Sequence, residues 1–156
     1  MNKGEIDMSY YSFIACEYKL PALYSPKLHN PDGTHKYIID SEDDFNELEI
    51  FQTETYYLDI EYYTKLPYIY HLNFVYSDAR CKQLYDYLMS NCEKWKKCEV
   101  WSIYLANARS KRTFKMDIKE ALENLEEIIV SLEELTEEHI KYTLYEGSTP
   151  IRLMIY

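Results

Sequence analysis

The feature that most constrains the fold is a long alternation of apolar and polar residues between positions 48 and 76. Apolar side chains take nearly every second position in 48–63 and again in 66–76, with a turn around Thr64 and Lys65. This period of two is typical of β-strands, because successive side chains point to opposite faces of a sheet. Gln52 and Glu54 fall on the apolar face, which indicates a bulge or a bend near these residues. The pattern predicts a β-hairpin of two long strands.

The rest of the chain predicts further strands and two helices. Four segments have the residue composition of strands: 9–18, 98–106, 139–145 and 151–156. The last two of these predict a second hairpin. Apolar residues recur every three or four positions in 77–97, where Ser77 is a predicted N-cap, and in 117–132. The predicted order is β-β-β-α-β-α-β-β. We expect an α+β fold, in which two amphipathic helices pack on one face of a mainly antiparallel sheet of five to six strands.

The length of 156 residues suits one domain. We expect a single α+β domain over 1–156, with 1–8 frayed and 19–47 forming a long irregular connection interrupted by prolines. The N-terminus carries acidic residues where a signal peptide needs basic ones, and no apolar run is long enough to cross a membrane. The four cysteines form no C-x-x-C motif and are expected to be reduced core residues, so the predicted location is the cytoplasm.

The small number of glycines and the absence of known catalytic motifs exclude several classes of binding and catalytic site. The three glycines are scattered, so no glycine-rich loop can approach a phosphate or a dinucleotide. The sequence also lacks the G-x-S-x-G, H-E-x-x-H and EF-hand patterns. His29 and His35 flank Asp32 without a known metal-binding spacing. We therefore expect no cofactor and no metal ion, and a binding protein rather than an enzyme.

Tyrosine and acidic residues indicate a protein partner. Tyrosine supplies 18 of the 156 residues, and adjacent tyrosines in a strand point to both sheet faces. A face not covered by helices would then present tyrosines to a partner, unless 19–47 or a second layer covers it. The acidic runs are the other candidate surface. The candidate protein-binding residues are Tyr11, Tyr57, Tyr63, Glu42, Asp43, Asp44, Glu123, Glu127 and Glu134.

Two alternative functions each depend on a different set of candidate residues. The segment 94–115 is basic in an acidic chain of net charge -10 and contains aromatic residues, a combination that binds nucleic acid through phosphate neutralisation and base stacking. Its candidate residues are Lys96, Lys97, Arg109, Lys111, Arg112, Lys115 and Trp101. The other alternative is an enzyme or ligand-binding site, with His71 as the candidate general base beside Asp59 or Glu61 on the neighbouring strand.

The favoured hypothesis is a non-enzymatic, acidic cytosolic protein-interaction module of the inhibitor, immunity or adaptor type. It accounts for the acidic charge, the tyrosine content and the missing catalytic motifs together. The expected partner is a protein, with nucleic acid as the alternative and no membrane association. A homodimer is also compatible, formed by edge pairing of the C-terminal strand 151–156, which has little polar protection.

Overall fold

The computed structural model describes residues 8–25, 30, 32–34, 48–52, 60, 63–106, 119, 122–145 and 150–156. The helices and strands within these ranges are β1 (Met8–Cys16), β2 (Glu49–Phe51), β3 (Tyr68–Asn73), α1 (Asp78–Asn91), β4 (Cys98–Ala106), β5 (Glu126–Val130), α2 (Glu137–Leu144) and β6 (Ile151–Ile155). The six strands form one sheet in the order β2-β3-β1-β4-β6-β5. Only the β5–β6 pair is parallel, so the predicted α+β class and the mainly antiparallel sheet are confirmed.

The region from 126 to 145 exchanges strand and helix relative to the prediction. The predicted helix 117–132 is wrong over 126–130, which form β5. Three consecutive β-branched residues, Ile128, Ile129 and Val130, favour a strand over the helix suggested by the wider spacing of apolar residues. β5 lies parallel to β6, which gives those residues a partner that the local pattern does not reveal.

The predicted strand 139–145 is helix α2. Glu137 and Glu138 lie in its first turn, where the helix dipole favours negative charge. Ile140 and Leu144, spaced by four, are buried. The predicted C-terminal hairpin is therefore wrong, because β5, α2 and β6 form a parallel strand–helix–strand unit. The observed order is β-β-β-α-β-β-α-β.

The first predicted hairpin is confirmed in its pairing and wrong in its length. β2 and β3 are antiparallel, with Ile50 opposite Leu72. The strand ends at Phe51, however, and Ile60 and Tyr63 lie in a turn instead of a strand. The predicted bulge at Gln52 and Glu54 is not tested, because residues 53–59 are outside the described part of the chain.

Helix α1 begins where the sequence predicts. The Ser77 Oγ accepts a hydrogen bond from the Arg80 amide at 3.2 Å, so Ser77 is the N-cap. The helix ends at Asn91, before the lysines that the prediction placed in its last turn. Its buried residues, among them Leu84 and Leu88, pack with those of α2 in the same hydrophobic cluster. The two helices therefore share one face of the sheet, as expected.

The opposite face of the sheet is also covered. Phe13 of β1 and Trp101 of β4 stack with ring centroids 5.6 Å apart, and neither is exposed. Ile60 and Tyr63 pack over them, so a second layer covers this part of the sheet. Among the described helices, none combines the length and apolar character required to cross a membrane.

The C-terminal strand lies inside the sheet. β6 pairs with β4 on one side and with β5 on the other. Both rows of its backbone hydrogen-bonding groups therefore face neighbouring strands. The predicted homodimer through edge pairing of 151–156 is wrong for this reason, because β6 offers no free edge.

Candidate protein-binding edge

The two edges of the sheet differ in how far they are covered. At the β2 edge, the Leu23 amide donates to the Ile50 carbonyl and the Ile50 amide donates to the Leu23 carbonyl, both at 2.8 Å. At the β5 edge, no described residue pairs with the outer side of the strand. An unpaired edge presents a row of backbone donors and acceptors that can bind another strand. β5 is therefore the candidate binding edge.

The backbone of β5 turns the amides and carbonyls of two residues to this side. The Glu126 amide donates to the Pro150 carbonyl, and the Val130 carbonyl accepts from the Tyr156 amide. Residues 126, 128 and 130 consequently point their amides and carbonyls towards β6. The alternation of a strand turns the amides and carbonyls of Glu127 and Ile129 outward. The Ile129 side chain is 57% exposed, so an apolar contact lies beside these groups.

Acidic side chains surround the β5 edge. Glu126 and Glu127 are exposed within the strand, while Glu123 precedes it and Glu134 follows it. Neither Glu123 nor Glu134 forms an ion pair with another described residue. Glu133 pairs with Lys94 at 2.5 Å, and that ammonium group lowers the pKa of the Glu133 carboxyl. Glu126 accepts a hydrogen bond from the Tyr142 hydroxyl. The edge therefore has a negative rim, in which Glu123 and Glu134 are the carboxylates without an ion-pair partner among the described residues.

A buried ion pair fixes Glu127 and the position of β5 beside β6. The Glu99 carboxylate is 5% exposed and accepts hydrogen bonds from the Thr64 hydroxyl at 2.6 Å and the Trp101 indole at 3.1 Å. Its other oxygen lies 3.4 Å from the Arg152 guanidinium, which also binds Glu127. The Arg152 guanidinium stacks over the Trp101 ring, 5.4 Å from its centroid. Sequence reasoning missed this network, although Glu99 is the only charged residue in the predicted strand 98–106, which is a signal for a buried ion pair.

A cavity of about 220 Å³ lies at the carboxyl end of β5. Its lining includes Trp95, Leu132, Glu134 and Tyr156. Trp95 is 84% exposed and has a φ of 69°, a left-handed conformation that is rare for residues other than glycine. Lys94, which pairs with Glu133, also lines the cavity. An exposed aromatic ring near carboxylates provides surface suited to a cation.

Three of the acidic candidates lie within β5 or close to it in the chain. Glu123, Glu127 and Glu134 surround β5, although the sequence placed them on a helix face. Tyr11 is 8% exposed and Tyr63 is 7% exposed, so these two tyrosines offer little surface to a partner. Four of the predicted protein-binding residues lie outside the described part of the chain: Glu42, Asp43, Asp44 and Tyr57.

The basic candidates are placed differently from the sequence-based expectation. Trp101 is fully buried, so its ring is not available to stack on a base. Lys96 pairs with Glu93 at 2.6 Å and lies over the Tyr18 ring, and Lys97 is exposed. The remaining basic candidates lie outside the described residues: Arg109, Lys111, Arg112 and Lys115.

His71 is packed among aromatic rings. Its Nδ1 lies 3.3 Å from the Tyr11 hydroxyl, and its ring contacts those of Tyr11 and Phe51 with centroids 5.4 Å apart. Burial lowers the pKa of His71 below its usual 6.5, while the charge of Glu49 opposes the shift. The proposed carboxylate neighbours, Asp59 and Glu61, lie outside the described residues.

Metal-ligating side chains are not grouped in threes within the described ranges. Asp32 accepts hydrogen bonds from the Thr34 amide at 2.9 Å and from the Thr34 hydroxyl at 2.6 Å, which lower the pKa of its carboxyl. His29 and His35 lie outside the described residues. The chain matches no protein-family model, no curated protein and no solved structure. Its function is therefore inferred from the arrangement of its own residues.

Proposed function

We propose that the chain is a non-enzymatic protein-interaction module that binds an extended basic segment of a partner protein along the edge of β5. The observation that carries this proposal is that the amides and carbonyls of Glu127 and Ile129 face outward on an edge that no described residue covers. A partner strand satisfies these groups by hydrogen bonding, as in other cases of strand addition to a sheet. The inhibitor, immunity and adaptor types all fit this mode, and we place the protein in the cytoplasm.

The surrounding side chains support a basic partner. Residues 117–156 carry ten acidic and three basic side chains. Ile129 offers an apolar contact, while Glu123 and Glu134 offer charge on either side of it. A partner strand that continues beyond Val130 meets the cavity at Trp95 and Tyr156, where a lysine or arginine side chain gains contact with aromatic rings. Backbone pairing supplies affinity, and these side chains supply selectivity.

The described part of the chain gives less support to the alternatives. A nucleic-acid interface through 94–115 loses the Trp101 ring to the core, and Lys94 and Lys96 are already paired with glutamates. At His71, the group within hydrogen-bond distance of Nδ1 is the Tyr11 phenol, whereas the Glu49 carboxylate acts on the ring through its charge, so no described carboxylate is shown to orient the imidazole as a general base requires.

The test is selection of binders from a random peptide library, followed by titration of the winning synthetic peptide. We expect peptides that alternate apolar and basic residues. Ile129→Pro removes the outward amide, whereas Ile129→Ala removes only the side chain. Because one backbone hydrogen bond contributes about 1 kcal/mol, the proline variant should bind several-fold more weakly than the alanine variant.

Two controls separate binding from folding. Both variants should retain the circular dichroism spectrum of the wild type, since a proline is tolerated where an edge amide faces solvent. In the wild type, peptide addition should shift the amide resonances of Glu127 and Ile129 more than those of Leu23 and Ile50 at the covered edge. Equal binding by the alanine and proline variants, or selection of acidic peptides, would refute the proposal.

A further inference from the structure

Three of the four cysteines meet at the end of β1, the start of β4 and the end of α1. Cys16 is the last residue of β1 and lies directly opposite Cys98, the first residue of β4. Cys92 is the C-cap residue of α1. Cys92 packs against the hydrophobic cluster that contains Cys16 and Cys98, and the Cys16 and Cys92 thiols are the neighbours that most raise the pKa of Cys98. Cys98 is therefore the central member of a thiol cluster, defined here as Cys16, Cys92 and Cys98.

The register brings Cys16 and Cys98 into a position that suits a disulfide. The next residue pair, Glu17 and Lys97, is joined by a hydrogen bond from the Glu17 amide to the Lys97 carbonyl at 3.1 Å. Hydrogen-bonded and non-hydrogen-bonded pairs alternate along an antiparallel ladder, so the cysteine pair is non-hydrogen-bonded. Cα atoms in such pairs are about 4.5 Å apart, and disulfides bridge Cα separations from about 4.4 Å.

The three thiols differ in access to solvent. Cys16 and Cys98 are fully buried, whereas Cys92 is half-buried. The Cys92 amide donates to the Leu88 carbonyl at 2.8 Å, and the following Glu93 amide donates to the Tyr18 hydroxyl at 2.6 Å. These bonds hold the end of α1 against the chain that follows β1. Cys92 is thus the thiol that a small oxidant reaches first, and Cys98 connects it to the interior.

The pKa values of the two buried thiols favour Cys16 as the thiol that attacks a disulfide formed by Cys98. The neighbouring Cys98 thiol, together with the Tyr18 backbone and side chain, lowers the pKa of Cys16, although burial opposes the shift. The same neighbour relation raises the pKa of Cys98. Cys16 is therefore the more acidic of the two buried thiols, and the thiolate is the form that attacks a disulfide.

We propose that the thiol cluster is a modification site, at which a hydroperoxide oxidises Cys16 and Cys98 to a reversible disulfide with Cys92 as the relay. The site is independent of the proposed binding edge at β5.

The proposed sequence has three balanced steps. The Cys92 thiolate attacks the hydroperoxide, so that a sulfur–oxygen bond forms, the peroxide bond breaks and an alcohol leaves, or water when the oxidant is hydrogen peroxide. The Cys98 sulfur then attacks the Cys92 sulfenic acid and releases water, with its own proton taken up by the departing hydroxide. Finally, the Cys16 thiolate attacks Cys98, and Cys92 leaves as a thiolate. The two buried thiols are oxidised, the hydroperoxide is reduced and Cys92 is restored.

The test treats the folded, reduced protein with stoichiometric hydrogen peroxide and maps the disulfides in unreduced peptides by mass spectrometry. We expect a Cys16–Cys98 disulfide that dithiothreitol reverses. Cys92→Ser should slow its formation by about tenfold or more, because the accessible thiol is lost. Cys81→Ser is the matched control: Cys81 is buried in the core outside the thiol cluster, and the variant should oxidise like the wild type.

Cys16→Ser separates the last step, since the variant should stop at a Cys92–Cys98 disulfide. Circular dichroism of each variant before oxidation shows whether the fold is retained. If Cys16→Ser does not fold, the Cys92→Ser rate still decides the proposal. It is overturned if the wild type forms no disulfide within the cluster, if it stops at Cys92–Cys98, or if Cys92→Ser oxidises as fast as the wild type.

Discussion

Replacing Arg152 with methionine tests the ion pair that holds β5 beside β6. The change keeps an unbranched side chain over the Trp101 ring but removes the positive charge 3.4 Å from Glu99. Removing one partner of a buried ion pair costs about 3–5 kcal/mol, because the other charge remains buried. The cost here should be smaller, since Glu99 keeps its bonds from Thr64 and Trp101 and the Arg152 side chain is 23% exposed. We expect Arg152→Met to lower the free energy of unfolding by about 2 kcal/mol.

Urea unfolding followed by circular dichroism measures this loss, and the thermal midpoint should fall by about 4–8 °C for a chain of this length. Lys94→Met is the matched control, because the Lys94–Glu133 pair is exposed and should contribute less than about 1 kcal/mol. Glu99→Gln should cost less in the Arg152→Met background than in the wild type, since the uncompensated charge is gone. A loss below about 0.5 kcal/mol for Arg152→Met, or an equal cost of Glu99→Gln in both backgrounds, would refute the reasoning.

Three further predictions concern single positions. Ser77→Ala should lower the free energy of unfolding by about 1 kcal/mol through loss of the cap on α1, and an unchanged urea midpoint would contradict this. Trp95→Gly should leave the free energy of unfolding unchanged or raise it by up to about 1 kcal/mol, because glycine relieves the left-handed φ and the ring that is removed is 84% exposed. A measurable loss of stability would contradict this and show that the ring packs against the protein. Burial lowers the pKa of His71, so the unfolded chain binds a proton at a higher pH than the folded chain does, and stability decreases as the pH falls through about 6.5. His71→Asn should remove this part of the pH dependence of the free energy of unfolding, measured between about pH 7.5 and 5.5.

Local signals account for the parts of the fold that the sequence predicts correctly. Ser77 ends an extended segment and caps α1 in the structure, and 98–106 has the apolar and β-branched composition of the strand it forms. The exchange at 126–145 has a different cause. The run Ile128–Val130 fits either a wide helical stripe or a buried strand, and its long-range pairing with 151–155 decides between them.

The candidate edge depends on strand order, which short-range patterns do not contain. The sequence indicates Glu123, Glu127 and Glu134 as an acidic helix face, whereas the fold puts them in or next to an edge strand. The tyrosine hypothesis depended on an uncovered sheet face. Packing of Ile60 and Tyr63 over Phe13 covers that part of the face, and only the folded arrangement reveals this contact.

The charge of the β5 edge also indicates which strands it excludes. Two copies paired through β5 would bring Glu126 and Glu127 of one chain close to those of the other, and this repulsion opposes self-association. A basic strand makes the same backbone bonds and replaces the repulsion with attraction. Salt screens both effects. Raising the ionic strength should therefore weaken the binding of the basic partner and reduce the repulsion between copies. The acidic rim therefore has two effects. It favours the binding of a basic partner to the outward amide and carbonyl of Ile129, and it opposes the pairing of this edge with the same edge of a second copy.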